Sequence, residues 1–437
     1  MRNRIKSFSI VTLGCPKNTV DSEVLKGGLI KAGLKYKENP EGVDLLVINT
    51  CGFIEPAREE TVEAILEAVN LKKQNKIKSI AVVGCLVQLY KDELKEEIPE
   101  VDFYSGVDFQ KRLYEEIVGG NYYFPRFEDR DLLTPGHYAY IKISDGCDNK
   151  CSFCSIPLIK GKQKSRTVED IINEVKYLNT LGVKELILVS QDTTRYGTDL
   201  PSKDTLPELL EKILRFTNAS WIRLLYCNPD FWPDDLIDLV RDHDKICKYL
   251  DIPIQHFSDK ILRSMKRVKS ASMIKNLLYE IRSKIPDVAI RTSVIVGYPG
   301  ETEKEFLELV DFIEEFRFDR LGVFTYSPEE NTEAYLLKDD IPQKEKDSRR
   351  DFIMQKQWEI MEDRAESIVG KEIDVLVDCI EENNAVGRTQ WDAPEIDCVV
   401  KIRRESIEIE TGEIYRVKIV DNDGIDLVGE IKCVEDK

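Results

Sequence analysis

Short apolar runs alternate with segments of helical periodicity over the first 118 residues. The apolar runs have the length of strands, and the segments between them repeat apolar residues three and four positions apart. The pattern predicts strands at 8–13, 43–49, 79–83 and 101–104, and helices at 20–32, 58–73, 88–97 and 109–118. This alternation predicts a first domain at 6–120, an open and largely parallel sheet with helices on its faces.

A second alternation begins at Tyr138 and repeats six times. Its predicted strands lie at 138–143, 185–190, 221–226, 249–254, 289–296 and 320–326, with helical segments between them. Six units are too few for a complete eight-unit barrel. The pattern therefore predicts a partial, open (β/α)6 barrel in a domain at 133–365, closed by a long charged helix at 343–369.

The last part of the chain changes to short alternating strands separated by turn residues. Strands are predicted at 373–378, 398–402, 414–420 and 427–433, which favours a small antiparallel β-barrel of about five strands at 368–436. The predicted fold class is α/β, with an open parallel sheet, a partial barrel and a small terminal β-barrel in that order.

Composition narrows the class of protein. None of the apolar runs in the 437 residues approaches the ~18 needed for a membrane span. With no export signal, we expect a reducing cytoplasm, in which the 11 cysteines are thiols or metal ligands and not disulfides. The net charge of −18 argues against a nonspecific grip on a phosphate backbone. With three histidines, chemistry based on a histidine base or a zinc–histidine site is poorly supplied.

The sharpest chemical signal is a C-x3-C-x2-C loop formed by Cys147, Cys151 and Cys154, directly after the first barrel strand. A structural zinc site needs four ligands, and no fourth Cys or His lies nearby. Three thiolates instead suit three irons of a 4Fe-4S cluster and leave the fourth iron open to a substrate or cofactor. The alternative, three unrelated buried thiols, is a poor account of this spacing on a polar loop.

A second cysteine set is dispersed. Cys15, Cys51 and Cys85 each stand at the carboxyl end of a predicted parallel strand, where ligands gather in open α/β sheets. The repeated position favours convergence into a second three-thiolate 4Fe-4S site over three buried structural cysteines. The other five cysteines lack ligand spacing and are assigned to packing: Cys227, Cys247, Cys379, Cys398 and Cys433.

The Cys147 loop on the first strand of a partial barrel resembles the radical S-adenosylmethionine (SAM) superfamily. The resemblance implies that the open iron binds SAM, whose one-electron cleavage gives a 5′-deoxyadenosyl radical. It places Phe153 near the adenine and Ser293 and Val296, in the fifth-strand motif 293–301, beside the adenosine. It also places Gln191 near the SAM amine, although Gln191-Asp192 replaces the usual Gly-Gly-Glu.

The whole chain resembles the methylthiotransferases of this superfamily. The matching motifs include Gly14-Cys15-Pro16-Lys17-Asn18, Asn49-Thr50-Cys51, Gly84-Cys85-Leu86 and Tyr326-Ser327-Pro328-Glu329-Glu330, and the terminal segment looks like a TRAM domain. The resemblance implies two 4Fe-4S clusters, two SAM molecules, a sulfur held on the second cluster, and an electron donor such as flavodoxin or ferredoxin.

Two branches of that family differ in substrate. The string Cys15-Pro16-Lys17-Asn18 and the segment 156–162 resemble the branch that modifies the β-carbon of an aspartate in small-subunit ribosomal protein twelve. Residues 371–437 hold 18 acidic and 9 basic residues, a charge that suits a basic protein better than RNA. The alternatives are a tRNA adenosine methylthiotransferase, and a non-catalytic iron–sulfur or RNA-associated module.

Overall fold

The N-terminal domain is a five-stranded parallel sheet with helices on both faces. A computed structural model describes residues 5–118, 125–382, 384–403 and 408–431. The sheet order is β2-β1-β3-β4-β5. Its elements are β1 (Ser7–Thr12), α1 (Pro16–Lys31), β2 (Lys35–Tyr36), β3 (Leu45–Thr50), α2 (Glu55–Lys73), β4 (Ser79–Gly84), α3 (Cys85–Glu97), β5 (Phe103–Ser105) and α4 (Phe109–Ile117).

The central domain is a six-stranded open barrel. The strand order β13-β12-β11-β10-β9-β6 is parallel throughout, and a small antiparallel pair, β7 and β8, follows the first strand. Its elements are β6 (Tyr138–Lys142), β7 (Ser144–Asp145), α5 (Ile156–Lys160), β8 (Lys164–Ser165), α6 (Val168–Thr180), β9 (Glu185–Val189), α7 (Leu206–Phe216), β10 (Trp221–Leu224), α8 (Leu236–Asp242), β11 (Ile246–Asp251), α9 (Asp259–Ser264), α10 (Ala271–Lys284), β12 (Ala289–Val296), α11 (Glu303–Phe316), β13 (Arg320–Thr325) and α12 (Gln343–Ile368).

The terminal domain is a closed five-stranded barrel of order β14-β15-β16-β18-β17. Its strands are β14 (Glu372–Ile380), β15 (Asn384–Thr389), β16 (Val400–Arg403), β17 (Ile414–Asp423) and β18 (Asp426–Ile431). All neighbours pair antiparallel except β16 and β18, which are parallel, so the expectation of a purely antiparallel barrel needs this correction. Cys433 lies outside the described residues.

The predicted fold class is confirmed, and the differences are local. Helix α1 begins at Pro16 and not at residue 20, because Pro16 is suited to the first turn of a helix, where its missing N–H costs no hydrogen bond. Strand β11 lies about three residues earlier than predicted. The two-residue strand β2 and the strand β15 were not predicted individually. The domain limits at 6–120, 133–365 and 368–436 stay predictions.

Helix α1 is buried on two sides, between its own sheet and the central barrel. Leu25 and Leu29 pack into the core of the N-terminal domain, whereas Val20 packs with Tyr138 and Tyr140 of the barrel. The helix therefore fixes the carboxyl edge of the first sheet against the barrel's first strand. Among the described helices, none has the length and apolar character needed to cross a membrane.

We predict that Gly27→Ala destabilises the protein by about 2 kcal/mol. A Cβ at Gly27 would stand 2.0 Å from the carbonyl oxygen of Asp129, which is backbone and cannot move cheaply. This overlap outweighs the gain of up to about 1 kcal/mol in helix propensity. Urea unfolding measures the change. The control is Gly136→Ala, where a Cβ meets nothing within 4 Å; a shift there as large as at Gly27 would contradict this account.

The terminal domain docks on the barrel through buried ion pairs. Arg388 of β15 donates to Glu185 of β9 at 2.9 Å, and Arg223 donates to the other oxygen of Glu185 at 2.6 Å. Two aspartates of the terminal domain also pair with arginines of the barrel. Asp392 pairs with Arg320, and an Asp397 carboxylate oxygen lies 3.4 Å from Arg291 Nε. Part of the acidic excess of this domain is therefore used inside the molecule and not on its surface.

Candidate functional site

The Cys147 loop lies at the mouth of the barrel, between β7 and α5. Gly146 has a φ of +77°, and a Cβ there would meet the Lys162 carbonyl oxygen at 2.2 Å, so glycine is required for the loop to close. The peptide N–H of Cys147 donates to the Gly161 carbonyl at 3.1 Å. Ser152 donates through its amide to Met265 and through its hydroxyl to Ser264, which anchors the loop on α9.

The three thiols of this loop are close enough to influence one another. Burial raises the pKa of Cys147 to about 11 and that of Cys154 to about 12, and the neighbouring thiols add to the rise. Arg267 donates a hydrogen bond to Cys151. This guanidinium is itself held by Asn228 at 2.7 Å and Asp230 at 3.1 Å. The Arg267 guanidinium, itself paired with Asp230, thus stands beside Cys151.

Gln191 follows the end of β9, and its contact with the SAM amine stays a prediction. Its Nε2 donates to Asp145 at 2.9 Å, while its Oε1 is buried and has no hydrogen-bond partner within the described part of the chain. A buried acceptor without a donor is costly, so this atom suits a ligand that brings an N–H group. The next residue, Asp192, accepts from Asn149 at 2.6 Å and Asn228 at 3.0 Å, a linkage that the sequence did not reveal.

The three other residues predicted to contact SAM lie in different surroundings. Phe153 packs against Tyr298 and Tyr326 beside the cysteine loop. Ser293 is partly exposed on the inner face of β12. Val296 is fully buried in the main core on the opposite face of that strand, so its side chain does not line the mouth. Ile295, which alternates with it, contacts the Phe153 cluster instead.

The dispersed cysteines converge at the carboxyl edge of the first sheet. A Cβ at Gly14 would lie 2.8 Å from the Cys51 Sγ, and the φ of Gly14 is +89°. A Cβ at Gly52 would lie 3.2 Å from the Cys85 carbonyl carbon. The Cys15, Cys51 and Cys85 segments are therefore in contact, as the strand-end positions predicted.

Two polar side chains fasten these segments together. Asn18 donates to the carbonyls of Leu13 at 2.9 Å and Thr50 at 3.1 Å, and so ties the first segment to the second. The Thr50 hydroxyl donates to Val83 at 2.7 Å and accepts from the Leu86 amide at 3.2 Å, which ties the second to the third. The motif residues beside the cysteines thus hold the backbone that presents the thiols.

Two of these cysteines stand at helix N-termini. Cys15 is the N-cap of α1, and Cys85 is the first residue of α3. Burial raises the pKa of Cys85 to about 12 and also raises that of Cys51. The positive ends of the helices favour the thiolate, whereas burial opposes it. A metal that displaces the protons would therefore gain well-placed thiolates and release protons as it binds.

A buried cluster of lysines and carboxylates joins the two cysteine sets. Lys142 pairs with Asp21 and, at 3.2 Å, with Asp145. Lys160 lies 3.6 Å from Asp21 and 3.4 Å from Asp145. Nearby carboxylates hold the pKa of Lys160 above its usual value although burial alone would lower it. The sequence analysis did not identify this cluster. Two of its members stand in motifs that could have indicated it: Lys160 in the segment 156–162, and Asp145 next to Gly146.

Both candidate sites are sets of three cysteine thiols. Within the described ranges, no group of three or more His, Cys, Asp and Glu side chains is arranged to hold a metal ion. Four irons and their sulfides separate the thiolates of a cluster more widely than one ion does. Of the cysteines assigned to packing, Cys227, Cys247 and Cys398 are buried, but Cys379 is exposed, so its assignment is wrong.

Three family descriptions match consecutive parts of the chain. Residues 7–106 match "Uncharacterized protein family UPF0004", residues 141–313 match the radical SAM superfamily, and residues 369–431 match the TRAM domain. The matches follow the three folded units described above.

The chain is similar along its whole length to proteins named ribosomal protein uS12 methylthiotransferase RimO. The protein of Chloroherpeton thalassium is 44% identical over 99% of this chain and 100% of its own length. The Petrotoga mobilis protein is 44% identical, with 98% and 100% covered. The Aquifex aeolicus protein is 45% identical, with 97% and 96% covered.

Solved structures share the fold at low sequence identity. The radical S-adenosylmethionine methyltransferase TsrM from Kitasatospora setae aligns with a TM-score of 0.54 at 12% identity, covering 78% of each chain. The cobalamin-dependent S-adenosylmethionine radical enzyme OxsB aligns with a TM-score of 0.51 at 12% identity, covering 80% of this chain and 56% of that one. At these identities the likeness describes the fold alone.

Proposed function

The chain belongs to the RimO family of ribosomal protein uS12 methylthiotransferases, and on this basis we propose that it inserts a methylthio group at the β-carbon of an aspartate of uS12. It is an enzyme that transfers sulfur-containing groups, and its superfamily works with SAM and a 4Fe-4S cluster. We place its action in the cytoplasm, on the free protein or the small subunit, with flavodoxin or ferredoxin as electron donor.

Each proposed cofactor has a donor set that suits it. Cys147, Cys151 and Cys154 would hold the SAM-binding cluster, with the unpartnered Gln191 Oε1 as acceptor for the SAM amine. Cys15, Cys51 and Cys85 would hold a second cluster. When bound, these groups supply hydrogen abstraction from an unactivated carbon, the sulfur and the methyl group.

The observation that carries the proposal is the single cluster of charged residues that reaches the surroundings of both cysteine sets. Lys160 lies between Asp145, which is beside the Cys147 loop, and Asp21 of α1. Its positive charge also acts on Cys85, where it favours the thiolate. Gln191 is tied to the same Asp145. The residues of this mouth would orient the two groups toward one substrate carbon and exclude water from it.

The deciding experiment is mass spectrometry of uS12 and of bulk tRNA from cells that lack this chain. Loss of a methylthio mass on the uS12 aspartate, with tRNA unchanged, is the expected result. Loss of a methylthioadenosine from tRNA instead would favour the tRNA alternative. Formation of 5′-deoxyadenosine by the anaerobically reconstituted enzyme separates catalysis from a passive iron–sulfur module.

We predict that the exposed carboxylates of the terminal domain speed the encounter with basic uS12. Glu381, Glu382, Asp421 and Asp423 are exposed, unlike the carboxylates that face the barrel. Reversing these four to Lys should slow association with uS12, because complementary charge acts mainly on the on-rate. The wild-type on-rate should also fall with salt, since the Debye length shrinks from ~10 Å at 0.1 M to ~3 Å at 1 M.

The control for this reversal is an equal charge change on another surface. Asp351, Glu359, Asp363 and Glu366 are exposed on α12, and their reversal to Lys should slow the association much less. Stopped-flow binding of uS12 to the full chain at two salt concentrations measures both. Equal slowing by the two reversals, or salt-sensitive binding of tRNA with none of uS12, would contradict docking by the terminal domain.

A further inference from the structure

Lys17 carries a buried ammonium group that has no carboxylate partner in the described ranges. The residue is 7% exposed, and its Nζ contacts the Ser190 carbonyl oxygen at 3.4 Å and the Tyr226 ring, whose centroid is 3.8 Å away. Among the described residues no carboxylate oxygen lies within 4.0 Å of it. Lys142 and Lys160 in the same region each contact two carboxylates.

The position of Lys17 is between the two cysteine sets. It lies in the first turn of α1, two residues after Cys15. Its Nζ reaches across to the carboxyl ends of β9 and β10, where Ser190 precedes Gln191 and Tyr226 follows the strand. Cys15, Gln191 and Tyr226 are each partly exposed, so the surroundings of this ammonium open to the mouth.

Lys17 feels the charges of Cys15 and Asp145, but among the described residues no carboxylate forms an ion pair with it. A buried charge without such a partner is costly, and a carboxylate ligand would complete it. The proposed reaction takes place at a carbon bonded directly to a carboxylate, and that carboxylate must leave water when the carbon enters the mouth. We propose that Lys17 binds the side-chain carboxylate of the substrate aspartate and so selects an acidic side chain. This inference rests on the proposed function and adds to it the residue that recognises the substrate.

The other anions near this mouth are the carboxylate of SAM and the sulfur on the second cluster. The SAM amine has a ready acceptor in Gln191 Oε1, on the side of the Cys147 loop. The Nζ of Lys17 contacts the Ser190 carbonyl oxygen and the Tyr226 ring, and it also feels the charge of Asp145 beside that loop. Only the substrate carboxylate is bonded to the reacting carbon, so we assign Lys17 to it, and the test below separates the three anions.

The test compares two forms of uS12, one with the target aspartate and one with asparagine in its place. Their dissociation constants are measured on the anaerobically reconstituted full-length enzyme with SAM bound. The wild type should bind the aspartate form about 30-fold more tightly, the loss expected when one member of a buried charge pair is removed. Lys17→Met should bind both forms equally, and Lys17→Arg should restore part of the preference. Lys31→Met, the same change at the half-exposed end of α1, should keep the wild-type ratio.

Folding is checked on the same variants. Because Met has a similar length and no charge, Lys17→Met should be at least as stable as the wild type in urea. A clear loss of stability would show that Lys17 is structural and would overturn the inference. An aspartate preference that survives in Lys17→Met, with changed SAM affinity or a changed cluster EPR signal, would also overturn it and assign Lys17 to a cofactor. Wild-type enzyme that binds neither form would overturn the proposed function itself.

Discussion

Removing either cysteine set should halve the iron content of the reconstituted enzyme while affecting different chemistry. The wild type should hold about eight irons in two four-iron clusters. Replacing Cys147, Cys151 and Cys154 with Ala should leave about four irons and abolish SAM cleavage, since the site that would bind SAM is lost. Replacing Cys15, Cys51 and Cys85 should also leave about four irons, with SAM cleavage kept and sulfur insertion lost.

Iron and sulfide analysis and assays of 5′-deoxyadenosine and methylthiolated uS12 measure these effects. The matched control is Cys379→Ala, which removes an exposed thiol far from both sets in the sequence and should leave eight irons. Full iron content in the variant that lacks Cys15, Cys51 and Cys85 would show that these three cysteines do not bind a cluster.

Arg388→Met should destabilise the terminal domain by about 3 kcal/mol or more. Arg388 is 2% exposed and is shared by Glu185 of the barrel and Asp378 of its own domain, which it contacts at 2.9 and 2.7 Å. Removing it leaves buried carboxylates with one partner fewer. Hydrogen exchange of β14 and β15 at several urea concentrations measures the local free energy of unfolding. Arg416→Met, which breaks an exposed pair with Asp374, should change it by less than about 0.5 kcal/mol.

The loss in Arg388→Met should also depend on pH. Burial would raise the pKa of Glu185, but Arg223 and Arg388 outweigh it and hold that pKa below its usual value. The pKa of Asp378 is lowered as well, by His137 and Arg388 against burial. A depressed pKa contributes stability above the unfolded-state value of about 4, and this contribution is lost as the pH falls through the folded-state pKa. The difference between wild type and variant should therefore be full at pH 7 and shrink below about pH 4. A constant difference would contradict the ion-pair account.

The net charge of the terminal domain does not show which of its carboxylates face solvent. The net charge of 371–437 comes from the sequence, but the count treats all carboxylates alike. In the structure Asp378, Asp392 and Asp397 meet barrel-side or buried arginines, while Glu382 and Asp421 face solvent. Which carboxylates reach a partner depends on how the domain docks, and docking has no local sequence signal.

Local patterns determined the three folded units, because strand and helix periodicities depend on residues a few positions apart. The C-x3-C-x2-C loop is also local, so the sequence identified Cys147, Cys151 and Cys154 directly. The convergence of Cys15, Cys51 and Cys85 followed from a topological rule, since parallel strands end at one edge. The burial of the Val296 side chain in the core could not be predicted from the motif, because motif resemblance does not say which way a side chain points, and its contact with SAM stays a prediction.

The sequence by itself determined which thiols are available and at which strand ends they stand, since both depend on short-range pattern. Only the tertiary structure decided how the two sets relate. Helix α1 packs between the first sheet and the barrel, and this brings Asp21 to Lys142 and Lys17 to Ser190, 173 positions away. Such pairings join residues of different domains, and their energy comes from burial and charge at an interface that no single segment encodes. The buried ammonium of Lys17, which forms no ion pair with the described carboxylates, therefore becomes visible only when the chain is folded.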